Sequence, residues 1–495
     1  MRQAGDELVH FSIASAALIL FFCYYLLPIW DMDFWWHIAS GRWIVENRTI
    51  PLSDPFSVFA NTNPIRTEMV LGGQWLGQVA FYQVFDIFGA SGIIYFRALL
   101  LSGVLLFVYL RTRLPGQSVL VSLLALCLVG FNLFAFTGIR PQLLGFLLAA
   151  VLFYFVDRSE KNYHASLLFI LAGTGLLWAN CHGSFVLAVV LLLLYGGTLF
   201  IQAGAENNLQ QKQAGLFLLG ALLFMLFALI NPNGITAYKY IANLQNSELQ
   251  ERTSEYLSAL RIYTLGYNAA QAWIYLFFVL ALLALPKLFA TSRAKAALLV
   301  FLGAISVESF RYYVFFIIVC APYIAQALAQ TLQGSAFVRL QKTRARYFVV
   351  VVPLFVTFAL LYSFYPNPSA LNLIDDTRYP LKITDYLEKT NARGRVFNYF
   401  RWGGYLIWRL HPQLIPYIDG RMLDDSKLEK YTHMLWATGE GIPLFESANF
   451  DYVMIPYTNP ATGEKYPLND YLLNSSKWQL LYRSRLGYLF GAVQL

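Results

Sequence analysis

Phe11–Ile44 reads FSIASAALILFFCYYLLPIWDMDFWWHIASGRWI, and its two halves set the fold class. Phe11–Trp30 carries no charge, and about 20 apolar residues are what an α-helix needs to cross a bilayer. The run is long for a signal-peptide core and no small-residue cleavage pattern follows it, so it reads as a retained helix. The second half opens on Asp31 and Asp33, where the chain leaves the apolar layer, followed by Phe34, Trp35, Trp36 and His37. Aromatic residues are expected at that depth. Carboxylates there are costly.

Similar apolar runs recur along the first three quarters of the chain. Of the 495 residues, 58% are hydrophobic and only 13% charged, against about 25% charged in an ordinary soluble domain. Spans are expected near 11–30, 91–110, 118–136, 141–157, 164–180, 184–202, 213–231, 271–287, 296–310, 311–329 and 347–365, about eleven transmembrane helices. Residues 1–365 therefore read as a polytopic α-helical membrane region that includes a first loop at 31–90. Residues 366–495 read as an α/β soluble domain. Cys23, Cys127, Cys181 and Cys320 lie in or beside the spans, so the soluble domain has no disulfide framework. The formal charge of +8 is not accompanied by a nucleic-acid-binding motif, and no nucleic acid is expected as a partner.

Basic residues orient the spans. Arg111 and Arg113; Arg158 and Lys161; Lys212; Lys287, Arg293 and Lys295; and Arg339, Lys342, Arg344 and Arg346 fall in alternate connections. Such clusters face the cytoplasm. The N-terminus is then cytoplasmic, and the 31–90 loop, the 232–270 loop and the C-terminal domain are extracytoplasmic. The inner loops carry no Walker or glycine-rich nucleotide motif, which argues against a nucleotide substrate used from the cytoplasm.

Asp31 and Asp33 have two readings. They can bind a divalent cation, Mg or Mn, through oxygen ligands, or hold one carboxylate as a general base. Equally, they can cap the helix that follows. Ile38–Asn47 is amphipathic and suits a helix lying in the membrane interface. Ile50–Ser57 is a proline-bounded turn in which Asp54 reads as a structural residue. A second amphipathic stretch, Gly73-Gln74-Trp75 to Phe88, leads into the next span.

The runs DMDFWWHIASGRWI, IPLSDPFS and QWLGQVAFY, with GIRPQLLGF at 138–146, LWANCHGSF at 177–185, NPNG at 231–234, NYFRWGGYLIWRL at 398–410 and YIDGR at 417–421, resemble bacterial membrane proteins of the GT-C glycosyltransferase superfamily. That group includes oligosaccharyltransferase catalytic subunits, protein O-mannosyltransferases and aminoarabinose transferases. The resemblance implies a lipid-linked sugar donor carried on polyprenyl phosphate, a first outer loop with two interfacial helices, and an acidic residue near its start acting as catalytic base or metal ligand. Asp33 and Asp31 match that position.

Other polar residues are weighed against plain structural roles. Arg140 could clamp a donor phosphate bidentately or snorkel to headgroups. His182, beside Gly183, could meet the donor or be a satisfied buried histidine. Arg311 could turn to the phosphate or pair with Glu308 three residues back. His37 shares a helix face with Asp33, and with Trp36 and Gln74 it is a candidate for acceptor binding. Arg97, inside a span, has no evident role.

In the C-terminal region, Pro380–Thr390, Gly403–Leu410 and Lys427–Trp436 read as helices. Arg395–Tyr399, Ile415–Asp419, Tyr452–Pro456, Trp478–Arg483 and Gly487–Val493 read as strands, giving a small mixed sheet. Asp419 and Arg421 follow a strand end, where α/β folds place ligands. They are candidates for acceptor binding, with a self-bonded Asp turn as the alternative. No nucleophile motif is present. The expected function is therefore a membrane glycosyltransferase acting on a saccharide, lipid or protein acceptor at the outer face of the inner (cytoplasmic) membrane, surrounded by membrane lipids. The competing functions are a transporter or flippase of a lipid-linked saccharide and a non-catalytic cell-envelope assembly protein.

Overall fold

The computed structural model describes residues 2–57, 64–113, 119–160, 166–203, 208–243, 256–261, 268–331 and 373–493. They fall into two compact units. The first collects Met1–Leu27, Ile94–Thr137 and Gln142–Ser369; the second collects Pro28–Ile93, Gly138–Pro141 and Ala370–Leu495.

The first unit is helical. Among the described residues of the whole chain, seven helices are long and apolar enough to cross a membrane: Trp75–Thr112, Val119–Phe136, Gln142–Ser159, Phe185–Ala203, Gln210–Ala228, Gln271–Thr291 and Phe310–Thr331. This is a multi-pass membrane protein, but the expectation of about eleven spans is not met by these residues. Ser166–Cys181 and Arg293–Glu308 form helices of 16 residues each, about 24 Å at 1.5 Å per residue, short of a hydrocarbon core of about 30 Å. The first helix ends at Tyr24, before Pro28, and its described apolar part is His10–Tyr24. The expected span at 347–365, Lys161 and the basic cluster Arg339–Arg346 lie outside the described residues.

Helices pack closely where one lacks a side chain. A Cβ on Gly175 would strike the backbone of Phe224, and one on Gly220 would strike the Leu171 side chain, so Ser166–Cys181 and Asn208–Ala228 approach backbone to backbone at the first glycine and backbone to side chain at the second. The Trp75–Thr112 helix contains Gly89 at φ 65°, ψ −161°. That conformation is open to glycine, and it separates the amphipathic start of the helix from the apolar run after it.

Charges inside the first unit are matched by acids and carbonyls. Arg97 donates to the carbonyls of Tyr25, Leu27 and Thr137, which have left helical bonding at chain breaks and need donors in an apolar setting. Arg111 is buried. It bonds Asp157 at 2.7 Å and donates to the carbonyls of Ile318 and Val319 at 2.7 and 2.8 Å. Pro322, within that helix, has no N–H for the Ile318 carbonyl, so the guanidinium replaces the lost bond. Asp157 also accepts from Tyr323, while Glu160 accepts from Lys295 at 2.7 Å and from Tyr195.

The second unit holds a five-stranded mixed sheet with strand order β2-β1-β3-β5-β4: β1 Gly394–Asn398, β2 Leu414–Pro416, β3 Tyr452–Pro456, β4 Trp478–Arg483 and β5 Gly487–Ala492. β1 pairs in parallel with β2 and β3; β5 runs antiparallel to β3 and β4. Alternate residues serve opposite faces. Phe397, Val453, Ile455 and Phe490 pack on one side with Tyr431 and Phe445. Val396, Met454 and Leu489 pack on the other with Ile383, Leu387 and Leu406. Both faces are covered, as parallel strands require. Asp424 caps the Asp425–Trp436 helix by accepting from the Ser426 N–H at 2.9 Å. Helix Phe34–Asn47 belongs to this unit, and Trp35 sits in an edge-on aromatic box with Tyr379 and Tyr405, centroids 5.7 and 5.0 Å away.

Candidate functional site

In the second unit the first-loop carboxylates, the Gly138–Pro141 turn and the end of β2 converge. Asp31 begins the turn into helix Phe34–Asn47. Its carbonyl accepts from the Phe34 N–H and its Oδ1 accepts from the Asp33 N–H at 3.1 Å. These bonds shape the turn before the helix; the N-cap position itself is Asp33. Asp33 precedes the helix without a side-chain cap bond. Its Oδ1 accepts from Trp36 Nε1 at 3.1 Å.

Arg140 joins the two carboxylates. Its Nε and Nη2 donate to the oxygens of Asp31 at 2.6 and 3.2 Å, and Nη2 lies 3.1 Å from Asp33 Oδ2. The Asp31 side chain is 3% exposed, that of Asp33 27% and that of Arg140 25%. Arg140 is thus held by two acids.

Glycines make room for the pair. A Cβ on Gly138 would overlap Asp31 Oδ2, and one on Gly420 would overlap Asp33 Oδ1. A Cβ on Gly404 would come within 3.1 Å of the Met32 carbonyl and 3.3 Å of Trp36 Cδ1. Three segments far apart in sequence thus each present a bare backbone to the Asp31–Trp36 turn.

Gly420 is held there by a buried brace. Arg421 donates from its backbone N and from Nε to Asp419 Oδ1, and from Nη2 to Asp419 Oδ2. The same guanidinium grips both oxygens of Asp54, at 2.5 and 3.1 Å, and lies over the Phe56 ring. The arginine side chain is 1% exposed. Burial alone would raise the Asp419 carboxyl, but the charge and hydrogen bonds of Arg421 more than offset it, and Asp419 titrates below the usual carboxylate range. Nearby Lys427 is pulled below the usual lysine range by burial, only partly countered by Asp419 and Asp54. Asn398, at the end of β1, ties the strands together: its amide donates to the Ile418 carbonyl and its Oδ1 accepts from the Tyr417 N–H.

The other expected site residues are placed as follows. His37 is buried, its Nδ1 3.4 Å from Gln78 Nε2, and its ring lies against that of Trp36, tilted by 32°. Gln74 is half-buried in the turn before the Trp75 helix, where its carbonyl accepts from the Gln78 N–H. Arg311 and His182 belong to the first unit. Arg311 Nη1 donates to Tyr256 Oη at 2.5 Å, with the guanidinium over that ring. His182 Nδ1 accepts from the Ser184 N–H at 3.2 Å and meets Ser184 Oγ at 2.8 Å, while Ser184 Oγ accepts from Trp178 Nε1 at 2.9 Å. This wiring leaves the His182 ring proton on Nε2.

Among the described residues no group of three or more His, Cys, Asp or Glu could hold a metal ion. In this arrangement Arg140 also takes the position between Asp31 and Asp33 that a cation would need. Holding Mg or Mn on Asp31 and Asp33 together would require Arg140 to move away from them.

Asp54, Gly138, Gly404 and Gly420 were not among the candidates read from sequence. Asp54 carried the signal of a proline-flanked turn, which its acceptance of the Phe56 N–H confirms, and nothing local announces its partner 367 residues away. The glycines stood inside the GIRP, WGGY and YIDGR runs without a stated role.

The chain matches no family model and no curated protein. Fold and site define a class: a multi-pass helical membrane protein with a mixed α/β sheet unit, in which a buried Asp–Arg pair and a half-open carboxylate sit at a strand end.

Proposed function

We propose that this chain is a glycosyltransferase of the GT-C type, moving a sugar from a polyprenyl-phosphate-linked donor to a saccharide, lipid or protein acceptor. The observation that carries the reading is the unequal carboxylate pair: Asp31 buried against Arg140, Asp33 accessible and oriented by Trp36. The acceptor oxygen or nitrogen attacks the sugar carbon as its bond to the phosphate oxygen breaks. The bonding pair leaves with the polyprenyl phosphate, and Asp33 takes the acceptor proton. Direct displacement inverts that carbon. Arg140 is the cation nearest Asp33 and faces the charge that develops on the leaving phosphate. The Asp419–Gly420–Arg421 turn keeps Asp33 in place instead of touching the acceptor.

In this reading the membrane is the inner (cytoplasmic) one, with the N-terminus cytoplasmic and the sheet unit extracytoplasmic. Arg111 and Lys295 are paired with acids, so the orientation rests on Arg113, Arg158, Lys212, Lys287 and Arg293 among the described residues. The test compares glycans, glycolipids and glycoproteins of a deletion strain with wild type by mass spectrometry. It is paired with transfer from synthetic polyprenyl-phosphate sugars by purified protein. A product that disappears on deletion and is made by the purified protein supports the reading. A deletion that changes only the distribution of an intact lipid-linked saccharide across the membrane points to transport.

A further inference from the structure

Arg140 stands between two carboxylates that hold it unequally. Asp31 accepts from Nε and Nη2 and is almost fully buried; Asp33 Oδ2 lies 3.1 Å from Nη2 and its side chain is about a quarter exposed, as is the guanidinium. Burial decides which contact gives way. A partly solvated contact is exchanged for another anion more readily than a buried one, whose loss leaves a desolvated charge uncompensated. Trp36 Nε1 holds the other oxygen of Asp33, so the carboxylate stays tethered through Oδ1 when its Oδ2 leaves the arginine.

We infer that the Arg140–Asp33 contact is an exchange position for a phosphate oxyanion. The phosphate of the lipid-linked donor takes the Nη2 side of Arg140 and displaces Asp33, while Asp31 keeps the arginine in place. Asp33 is then released to accept a proton only once the donor is seated. A planar fork suits this exchange, since Asp31 can stay on its Nε/Nη2 edge while a phosphate oxygen takes the Nη2 contact that Asp33 gives up. The exchange makes and breaks hydrogen bonds only. It rests on the reading above that the donor carries a polyprenyl phosphate.

The inference has a sign that simple electrostatics does not share. Neutralising either acid makes the site less negative, so a uniform field predicts tighter phosphate binding for both. Exchange predicts opposite effects: Asp33→Asn removes the competitor and tightens binding, whereas Asp31→Asn releases the anchor and weakens it. The experiment measures binding of a C15 polyprenyl monophosphate to the full chain in nanodiscs at constant ionic strength, with thermal melting of each variant as a folding check. Expected are about tenfold tighter binding for Asp33→Asn and about tenfold weaker binding for Asp31→Asn and Arg140→Lys. Asp33→Ala serves as a second test of the competitor.

Binding by wild type with unchanged or weaker affinity in both Asp33 variants overturns the exchange and leaves the lipid-phosphate reading standing. Equal tightening by Asp31→Asn and Asp33→Asn also overturns it, in favour of a field effect. Absence of binding by wild type overturns both. Inorganic phosphate is the comparison ligand. Binding at least tenfold weaker than the lipid, with the same variant order, supports a lipid source, and equal affinity overturns the donor assignment.

Discussion

Asp33 and Asp31 differ by two positions in sequence and by their whole surroundings in the fold. Asp31 is spent on the turn before the helix and on Arg140, while Asp33 is about a quarter exposed. Asp33→Asn is expected to accumulate normally and to lose about two or more orders of magnitude in transfer. Near-normal transfer by that variant would remove the carboxylate from the mechanism. Glu464→Gln, in an exposed turn, is the control expected to stay active. Asp54 is unsuited to that use because Arg421 grips it. Gly420→Ala tests placement without touching charge. The added methyl collides with the end of the Asp33 side chain and 3.3 Å from Trp36 Nε1, so the side chain moves and the sheet survives. A displacement of about 1 Å at a reacting group can cost about 10²-fold. Transfer should fall by that order with little change in melting temperature. A large melting loss would mean that the glycine serves packing alone.

Single elements depend on bonds made across long sequence separations. The turn after β2 is held by Arg421 between Asp419 and Asp54, all buried. Asp419→Asn leaves the arginine paired with Asp54 alone and should cost about 1–3 kcal/mol of stability at neutral pH, read from denaturant unfolding. Its pH dependence has a definite sign. The folded Asp419 titrates below its unfolded value of about 3.9, so its contribution is present above about pH 4 and is lost as pH falls through the folded value. Wild type should therefore lose more stability than Asp419→Asn over that acid range; parallel profiles would contradict the brace. In the membrane unit, Arg111 fills the gap left by Pro322. Arg111→Leu strands Asp157 and the Ile318 carbonyl, and adding Asp157→Leu should restore part of the lost stability. Additive losses would place Arg111 in packing instead.

For the whole molecule, orientation is the property to measure. A periplasm-active reporter fused after residue 495 should give signal, and a cytoplasm-active reporter at the same point should not. The reverse result would move the sheet unit, and with it the proposed chemistry, to the cytoplasmic side.

Much of the architecture was legible along the chain because it depends on local period and composition. Uncharged runs such as Phe185–Ala203 announce membrane helices, and the alternation in Arg395–Asn398 and Tyr452–Pro456 announces strands whose two faces both pack. The Asp31/Asp33 pair stood out because carboxylates are costly beside an apolar span. Helix length was less legible: a 16-residue helix and a full span share one composition, and only where the backbone stops hydrogen bonding separates them. Partner choice was not legible at all. Arg140 finding Asp31, Arg421 finding Asp54, Arg97 finding three chain-break carbonyls and Gly420 making room for Asp33 are contacts over separations of 40 to 387 residues. A charge or a missing side chain carries no address. The tertiary fold supplies it, because each buried charge or carbonyl must meet whichever counterpart the packing brings within reach.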